Sequence, residues 1–205
     1  MNGATLNRYQ EVLPEGELVS LSVEPVQLGA GGATRATFLS WSGLGTDPDQ
    51  TYQSGPVPDT VTALFEQEHR LTVMSQGGGS FDASIAGDLG AGMFLQAGTP
   101  VTLTALPPEG FDFVVWQGDT TTTRREVQVT MQRPYQLTAV FTPTRLIAFE
   151  DAALDLMGAS RLTVEERAYL DSLGNRNGTY DVGDYLALLR RIGGTPGAAL
   201  PGSGR

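Results

Sequence analysis

The sequence contains no cysteine and no lysine, and its one histidine is His69. Without cysteine the chain has no disulfide, no thiolate zinc site, no iron–sulfur cluster and no cysteine nucleophile. Without lysine it has no Schiff-base or Ser–Lys chemistry, and a single histidine excludes a multi-histidine metal centre. These absences remove several common kinds of catalytic and metal-binding site.

Basic residues and long apolar runs are also scarce. The 205 residues include 13 arginines and 23 acidic residues, which gives a net charge of -10 at pH 7. Because like charges repel, we expect no binding to nucleic acid or to anionic lipid. No apolar run approaches the roughly 18 residues of a membrane-spanning helix, so we expect no membrane insertion. The start of the chain shows no visible signal peptide.

The first 142 residues have the pattern of a β-protein. Short alternating segments are separated by Gly, Pro and Asp turn signals. The predicted strands are 17–24, 37–41, 60–65, 70–74, 101–105, 113–116, 126–131 and 136–141. Residues 44–59, which contain Asp-Pro-Asp, Gly-Pro and Pro-Asp, are predicted to be a loop.

After Pro143 the apolar period changes from that of a strand to that of a helix. A first helix is predicted over 149–157, and Thr163 with Glu166 forms a capping box that opens a second. A third helix has an apolar face that we expect to pack the helices together: Val182, Tyr185, Leu186, Leu189 and Ile192. The expected fold is therefore mainly β, with a small all-α C-terminal module.

Two segments of the β-rich part carry the same residues in the same order. Each contains Phe-x-x-Trp-x-Gly, at 38–43 and at 113–118, and each closes on Thr-Ala-Leu-Phe or Thr-Ala-Val-Phe, at 62–65 and at 138–141. An alternating strand preceded by glycine comes before each motif. Ordered matches at nearly equal spacing indicate an internal repeat.

The second copy has the fuller pattern: a strand at 71–73, a glycine triplet at 77–79, Gly-Thr-Pro-Val-Thr-Leu-Thr-Ala-Leu-Pro at 98–107, and Thr-Met at 130–131. Over residues 69–142 it resembles the divergent internalin-type B-repeat of bacterial surface and secreted proteins. The first copy lacks the glycine triplet and has an insertion, and we expect residues 4–12 to supply its opening strand by pairing within the chain. The resemblance implies tandem β-rich modules used as stalks, spacers or adhesive units, located outside the cell or on its surface.

Residues 173–184 have the spacing of a twelve-position calcium loop. Asn175, Asn177, Thr179, Asp181 and Asp184 take positions 3, 5, 7, 9 and 12. Calcium prefers several oxygen ligands, and the glycine at position 6 permits the sharp turn of such loops. These five residues are the candidate ligands of a weak calcium site, because Leu173 stands at position 1, where a carboxylate is usual.

The loop and the helix after it resemble the second half of a dockerin, a bacterial calcium-dependent module that binds a partner protein. Asp171 lies just outside the twelve positions. The alternative is a calcium-free loop in which Asn175 and Asn177 cap turns and Asp181 caps the last helix. The sequence leaves both interpretations open.

Three further residues have an ordinary structural interpretation beside a functional one. Trp41 and Trp116 could stack on sugar rings, but their fixed place in a repeat favours core packing. His69, between the two copies, is predicted to be a solvated linker residue. No nucleophile motif or acid–base pair at a recognisable spacing is present, so we expect a protein that is not an enzyme.

The sequence thus predicts four segments: a first, divergent β-repeat at 1–68, a second at 69–143, a helical dockerin-like module at 144–194, and a flexible tail at 195–205. The expected function is that of a non-catalytic accessory region of a bacterial secreted or cell-surface protein, a β-repeat stalk joined to a docking module. The partner would be a protein bound through the helical module or the sheet edges. A self-assembling or adhesive subunit and a carbohydrate-binding module are the alternatives.

Overall fold

A computed structural model describes residues 12–193 of the chain, and the side chains up to 191. The predicted strand at residues 4–12 lies outside the described residues except for Val12, which is not in a strand, and the predicted tail at 195–205 lies outside them entirely. The strands are β1 (Leu18–Ser22), β2 (Val26–Leu28), β3 (Thr34–Trp41), β4 (Asp49–Gln53), β5 (Ala63–Gln76), β6 (Ser80–Ala83), β7 (Met93–Gln96), β8 (Pro100–Leu106), β9 (Phe111–Gly118), β10 (Glu126–Thr130) and β11 (Tyr135–Pro143). The helices are α1 (Phe149–Leu156), α2 (Val164–Leu173) and α3 (Val182–Gly193). The fold is mainly β with three C-terminal helices, as the sequence predicts.

The strands of the described part form three sheets. One pairs β1 with β4, a second has the order β10-β8-β6, and the third has the order β2-β3-β5-β11-β9, with β7 also paired to β5. The chain divides into two compact units. The first is formed by the described residues up to Thr72 together with Gly87–Val101 and Val129–Tyr135, and the second by Val73–Ala86, Thr102–Gln128 and the described residues from Gln136 onward. The module boundaries predicted from the sequence remain predictions.

The sequence prediction misses four short strands. β4 lies inside the segment predicted to be a loop, and β2, β6 and β7 were not predicted. The β4 sequence is Asp-Gln-Thr-Tyr-Gln, which has little apolar alternation, and it pairs with β1 residue by residue from Ser22–Asp49 to Leu18–Gln53. A short polar strand of this kind is stabilised by its neighbour and not by its own pattern.

The prediction for His69 is wrong. The predicted strands 60–65 and 70–74 are parts of one 14-residue strand, β5, and His69 lies in its middle with only 5% of its surface exposed. Its Nδ1 is 3.1 Å from Thr34 Oγ1 on the paired strand β3. Alternation along β5 buries Leu71 and Val73 on the same face, so the histidine belongs to that inward row.

The first repeat copy is built around an aromatic cluster. The ring of Phe38 lies 5.8 Å from that of Trp41 and 5.6 Å from that of Phe65. The indole N–H of Trp41 donates to the Pro48 carbonyl at 3.1 Å, and its backbone N–H donates to the Gly45 carbonyl at 2.8 Å. The tryptophan is therefore held inside the first unit by both its ring and its backbone.

The second copy repeats these contacts with its own residues. The ring of Phe113 lies 6.0 Å from that of Trp116 and 5.8 Å from that of Phe141. The indole N–H of Trp116 donates to the Arg125 carbonyl at 3.1 Å, and its backbone N–H donates to a carbonyl at 2.8 Å. Both tryptophans are buried, which confirms the prediction that they pack in the cores.

The two copies differ in how completely their sheets are covered. β8 lies between β10 and β6, and its inward residues Val101, Leu103 and Ala105 are buried. The equivalent strand β1 pairs with β4 alone among the described residues, and Val19 and Leu21 are only half-buried. The first copy is thus the less complete of the two, which agrees with its weaker sequence pattern.

Candidate functional site

The helical segment has a small apolar core of its own. Its buried residues are Ile147, Ala152, Leu162, Leu170 and Leu188. Tyr169, Leu173, Tyr180 and Tyr185 are partly buried against them. Three helices of 8 to 12 residues would be marginal alone, so this shared core is what stabilises them.

The predicted apolar face of α3 is wrong in part. Leu188 is the buried leucine of this helix, whereas Val182 is 61% exposed and Leu186 is 38% exposed. The Ile192 side chain lies outside the described ones. Asp184 and Leu188 are four residues apart and therefore share one face of the helix. Both are buried, so this is the face that packs inward. Val182 and Leu186 are left on the outer side.

An ion pair between the buried Asp155 and the partly exposed Arg167 links α1 to α2. Both carboxylate oxygens of Asp155 accept from the Arg167 guanidinium, at 2.7 and 2.9 Å, and one of them also accepts the Leu162 backbone N–H at 3.0 Å. The hydrogen bonds from Arg167 lower the pKa of Asp155 to about 2, against the opposing effect of burial. Asp155 is therefore charged at neutral pH and fully occupied by partners of its own chain.

A second acidic side chain, Glu166, lies in the first turn of α2. The capping box predicted from the sequence is confirmed: Thr163 Oγ1 accepts the Glu166 N–H at 3.1 Å, and Glu166 Oε2 accepts the Thr163 N–H at 3.0 Å. Arg145 Nη2 also donates to Glu166, at 2.8 Å. Burial alone would raise the pKa of Glu166, but the hydrogen bonds from Arg145 and from the Thr163 backbone outweigh it and lower the pKa.

The Asp155 pair predicts an acid-sensitive helical segment. The pKa of Asp155 is lower in the folded protein than its ordinary value of 3.8. The ion pair therefore stabilises the folded state above pH 3.8, and this stabilisation is lost as the pH falls toward 2. We expect Asp155→Asn to cost about 2 kcal/mol of unfolding free energy at pH 7 and almost nothing at pH 2. Urea unfolding followed by circular dichroism at several pH values measures this difference.

The control for this prediction is Asp151→Asn, which removes an exposed 3.4 Å contact to Arg145 and should change stability by less than about 0.5 kcal/mol. A difference between the wild type and Asp155→Asn that stays constant from pH 7 to pH 2 would contradict the assignment.

The loop between α2 and α3 is ordered by its own asparagines. Asn175 Oδ1 accepts the Asn177 N–H at 3.1 Å, and Asn177 Oδ1 accepts the Thr179 N–H at 2.9 Å. The Nδ2 groups of both asparagines face the Asp181 carboxylate, at 2.8 to 3.1 Å. The hydrogen bonds from these amides lower the pKa of Asp181, and the larger effect comes from Asn175. Asp181 Oδ1 also accepts the Gly183 N–H at 2.7 Å, as a residue that caps α3 does.

Asp184 closes the loop from its far end. Its side chain is fully buried, with Oδ1 accepting the Asn175 N–H at 3.0 Å and Oδ2 accepting the Asp181 N–H at 2.8 Å. A Cβ on Gly174 would lie 2.1 Å from the same carboxylate, so only glycine fits there. Beside them, the Tyr180 hydroxyl donates to the Ala152 carbonyl at 3.0 Å, and burial raises the pKa of Tyr180 to about 12.

Asp171, in the last turn of α2, also reaches the loop. Its two oxygens lie 3.2 and 3.3 Å from the Gly178 nitrogen and accept its N–H. In the sequence this residue lies just outside the twelve positions. Its carboxylate reaches Gly178 because α2 ends two residues later, at Leu173, and the chain then turns back. The loop thus brings the five predicted ligands together with Asp171 of α2, and hydrogen bonds join them.

The donor atoms of this loop suit calcium only in part. Carboxylate and amide oxygens are the atoms that the ion prefers. Each carboxylate, however, already faces N–H donors, and among the described residues no three Asp, Glu or His side chains are placed to share a metal. The contacts of the calcium-free alternative are all present. Calcium binding at Asn175, Asn177, Thr179, Asp181 and Asp184 remains a prediction.

In the second unit the helical segment packs directly on the second β-repeat. A Cβ on Gly78 would lie 2.6 Å from the Glu165 carbonyl oxygen, so the glycine hairpin touches the first turn of α2. The rings of Phe111 and Tyr169 are 6.3 Å apart, and the Thr144 N–H donates to the Gly110 carbonyl at 2.9 Å. The strands and helices of this unit therefore share contacts along α2.

Comparison with known proteins identifies one part of the chain. Residues 69–145 match the family model of the divergent InlB B-repeat domain, which covers less than half of the sequence. No curated protein and no solved structure matches the chain. The second repeat is thus B-repeat-like, and the family that it resembles is associated with bacterial surface proteins and is typically non-catalytic. The dockerin resemblance of the helical segment has no such match and stays a prediction.

Among the described residues, no helix is both long enough and apolar enough to span a membrane.

Proposed function

We propose that the chain is a non-catalytic accessory region of a bacterial secreted or cell-surface protein, in which β-repeats form a stalk and the helical segment docks a partner protein. The observation that carries this proposal is the B-repeat match at residues 69–145, with the helices packed directly on that domain. A helical segment that is packed in this way would hold its bound partner beside the B-repeat-like domain.

The outer side of α3 supplies the docking surface in this proposal. Val182, Leu186 and Arg190 recur every fourth residue, so they share one stripe of the helix. Val182 and Leu186 remain exposed, and Arg190 and Arg191 are exposed at the end of the same helix. On a chain with a net charge of -10, two adjacent arginines mark a locally basic position. The matching partner surface is an apolar patch flanked by carboxylates.

The acidic groups of the helical segment support a role other than catalysis. Asp155, Glu166 and Asp184 are buried, and each is occupied by arginine or backbone donors of the same chain. Groups held in this way stabilise the fold and are not available to transfer protons to a substrate.

Self-assembly through sheet edges is the second candidate. The observation that favours it is β1, which pairs on one side only among the described residues, with Leu18 exposed at its start. A free strand edge is a common place for another chain to add. Carbohydrate binding has less support, because Trp41 and Trp116 are buried and present no flat face to a sugar.

Binding to isolated envelopes of the producing cells tests the docking surface. We expect Val182→Glu/Leu186→Glu to bind at least about tenfold more weakly than the wild type, because the charges oppose burial of the apolar stripe. Envelopes treated with protease should lose binding of the wild type, since the proposed partner is a protein.

The matched control is Met157→Glu/Val164→Glu, which adds the same charges at two exposed positions away from α3. It should bind as the wild type does. Equal binding by both double variants would contradict the proposed surface. A dimer that forms with rising concentration in sedimentation velocity runs, and that both variants retain, would favour the sheet-edge alternative.

A further inference from the structure

We propose that the side-chain amides of Asn175 and Asn177 take the place of a cation in the loop between α2 and α3, so that this loop closes without calcium. The loop has the spacing of a calcium site, but the structure turns amide N–H groups toward the carboxylate that a metal would bind. The inference concerns the loop alone and does not depend on the docking function.

The orientation of the two amides is fixed by hydrogen bonds on their opposite sides. Each Oδ1 accepts a backbone N–H, from Asn177 at 3.1 Å and from Thr179 at 2.9 Å. Each Nδ2 must therefore point the other way, and both reach Asp181. A bound cation needs oxygen lone pairs directed at it, whereas these N–H groups carry positive partial charge into the same space.

The other two carboxylates of the loop are satisfied in the same manner. Asp184 accepts two backbone N–H groups with its two oxygens, and Asp171 accepts the Gly178 N–H. At the first position of the calcium pattern stands Leu173, which packs against the helical core and supplies no oxygen. Donors of the chain itself thus surround every carboxylate of the loop.

Thermal unfolding in calcium and in a chelator tests the proposal. We expect the wild type to melt at the same temperature, within about 1 °C, in millimolar calcium and in EDTA, since a ligand that binds the folded state would raise it. The isosteric Asn175→Asp/Asn177→Asp variant replaces both donors with acceptors beside Asp181. In EDTA we expect it to melt about 5–10 °C lower than the wild type, and in calcium to recover part of that loss.

The matched control is Gln128→Glu/Gln132→Glu, which adds two negative charges at exposed positions elsewhere and should leave melting and calcium response unchanged. A rise of several degrees for the wild type in calcium would overturn the proposal. So would a double variant that melts as the wild type does in EDTA. The double variant could also fail to fold in EDTA and fold in calcium. That result supports the proposal, because calcium would then replace the asparagine N–H groups as the partner of the loop carboxylates.

Discussion

Replacing Trp116 by alanine is expected to lower the unfolding free energy of the second unit by about 3–5 kcal/mol. The indole is fully buried, contacts the rings of Phe81 and Phe113, and donates its N–H to the Arg125 carbonyl. Truncation leaves a cavity in the centre of this core and removes one of the hydrogen bonds to the Arg125 carbonyl, which still accepts the Ala105 N–H at 2.8 Å. Chemical denaturation followed by circular dichroism measures the loss.

Two other variants calibrate that result. Val114→Ala, on the same strand but 43% exposed, should cost less than about 1 kcal/mol. Trp41→Ala should cost less than Trp116→Ala, because among the described residues Trp41 contacts one aromatic ring where Trp116 contacts two. If Trp116→Ala were as mild as Val114→Ala, the repeat motif would not mark the core.

Substitution of Gly78 is expected to separate α2 from the hairpin that it touches. The residue has φ +87°, and a Cβ would lie 2.6 Å from the Glu165 carbonyl oxygen, an atom of the helix backbone that cannot easily move. We expect Gly78→Ala to cost about 3 kcal/mol or more, from backbone strain and overlap together.

Gly98→Ala is the matched control, because Gly98 has nearly the same φ, +88°, and nothing within 4 Å of the added Cβ. Gly98→Ala should lower the unfolding free energy by about 1 kcal/mol, which is the effect of backbone strain without any overlap. The excess for Gly78 then measures the contact with α2. Equal losses for the two alanine variants would show that the hairpin does not pack against the helix.

The repeat was predictable because its signals are local. The residues within Phe-x-x-Trp-x-Gly, like those within the glycine triplet, are near neighbours in the sequence, and the structure places Phe113 and Trp116 in one cluster. The four short strands were not predictable in this way, since a strand such as β4 exists through its pairing with β1. His69 was misplaced because the sequence does not show that β5 continues without a break.

In the helical segment the sequence identified caps but not long-range partners. Thr163 and Glu166 are three residues apart, so their capping box was visible. Arg145 is 21 residues from Glu166, and no pattern links the two. The sequence also did not show which face of α3 packs inward, because that face contains the buried Asp184. The sequence pattern suggested Asp184 as a metal ligand, whereas in the structure its carboxylate accepts backbone N–H groups.

We expect the strands and the helices of the second unit to unfold as one cooperative unit, because they share contacts along α2. Scanning calorimetry of the wild type, Trp116→Ala and Asp155→Asn at pH 7 tests it most directly. One variant weakens the β core and the other removes the ion pair between α1 and α2, so a single cooperative unit predicts that both lower the same transition. If Trp116→Ala lowered one transition and Asp155→Asn lowered a different one, the two parts would unfold independently and the claim would be contradicted.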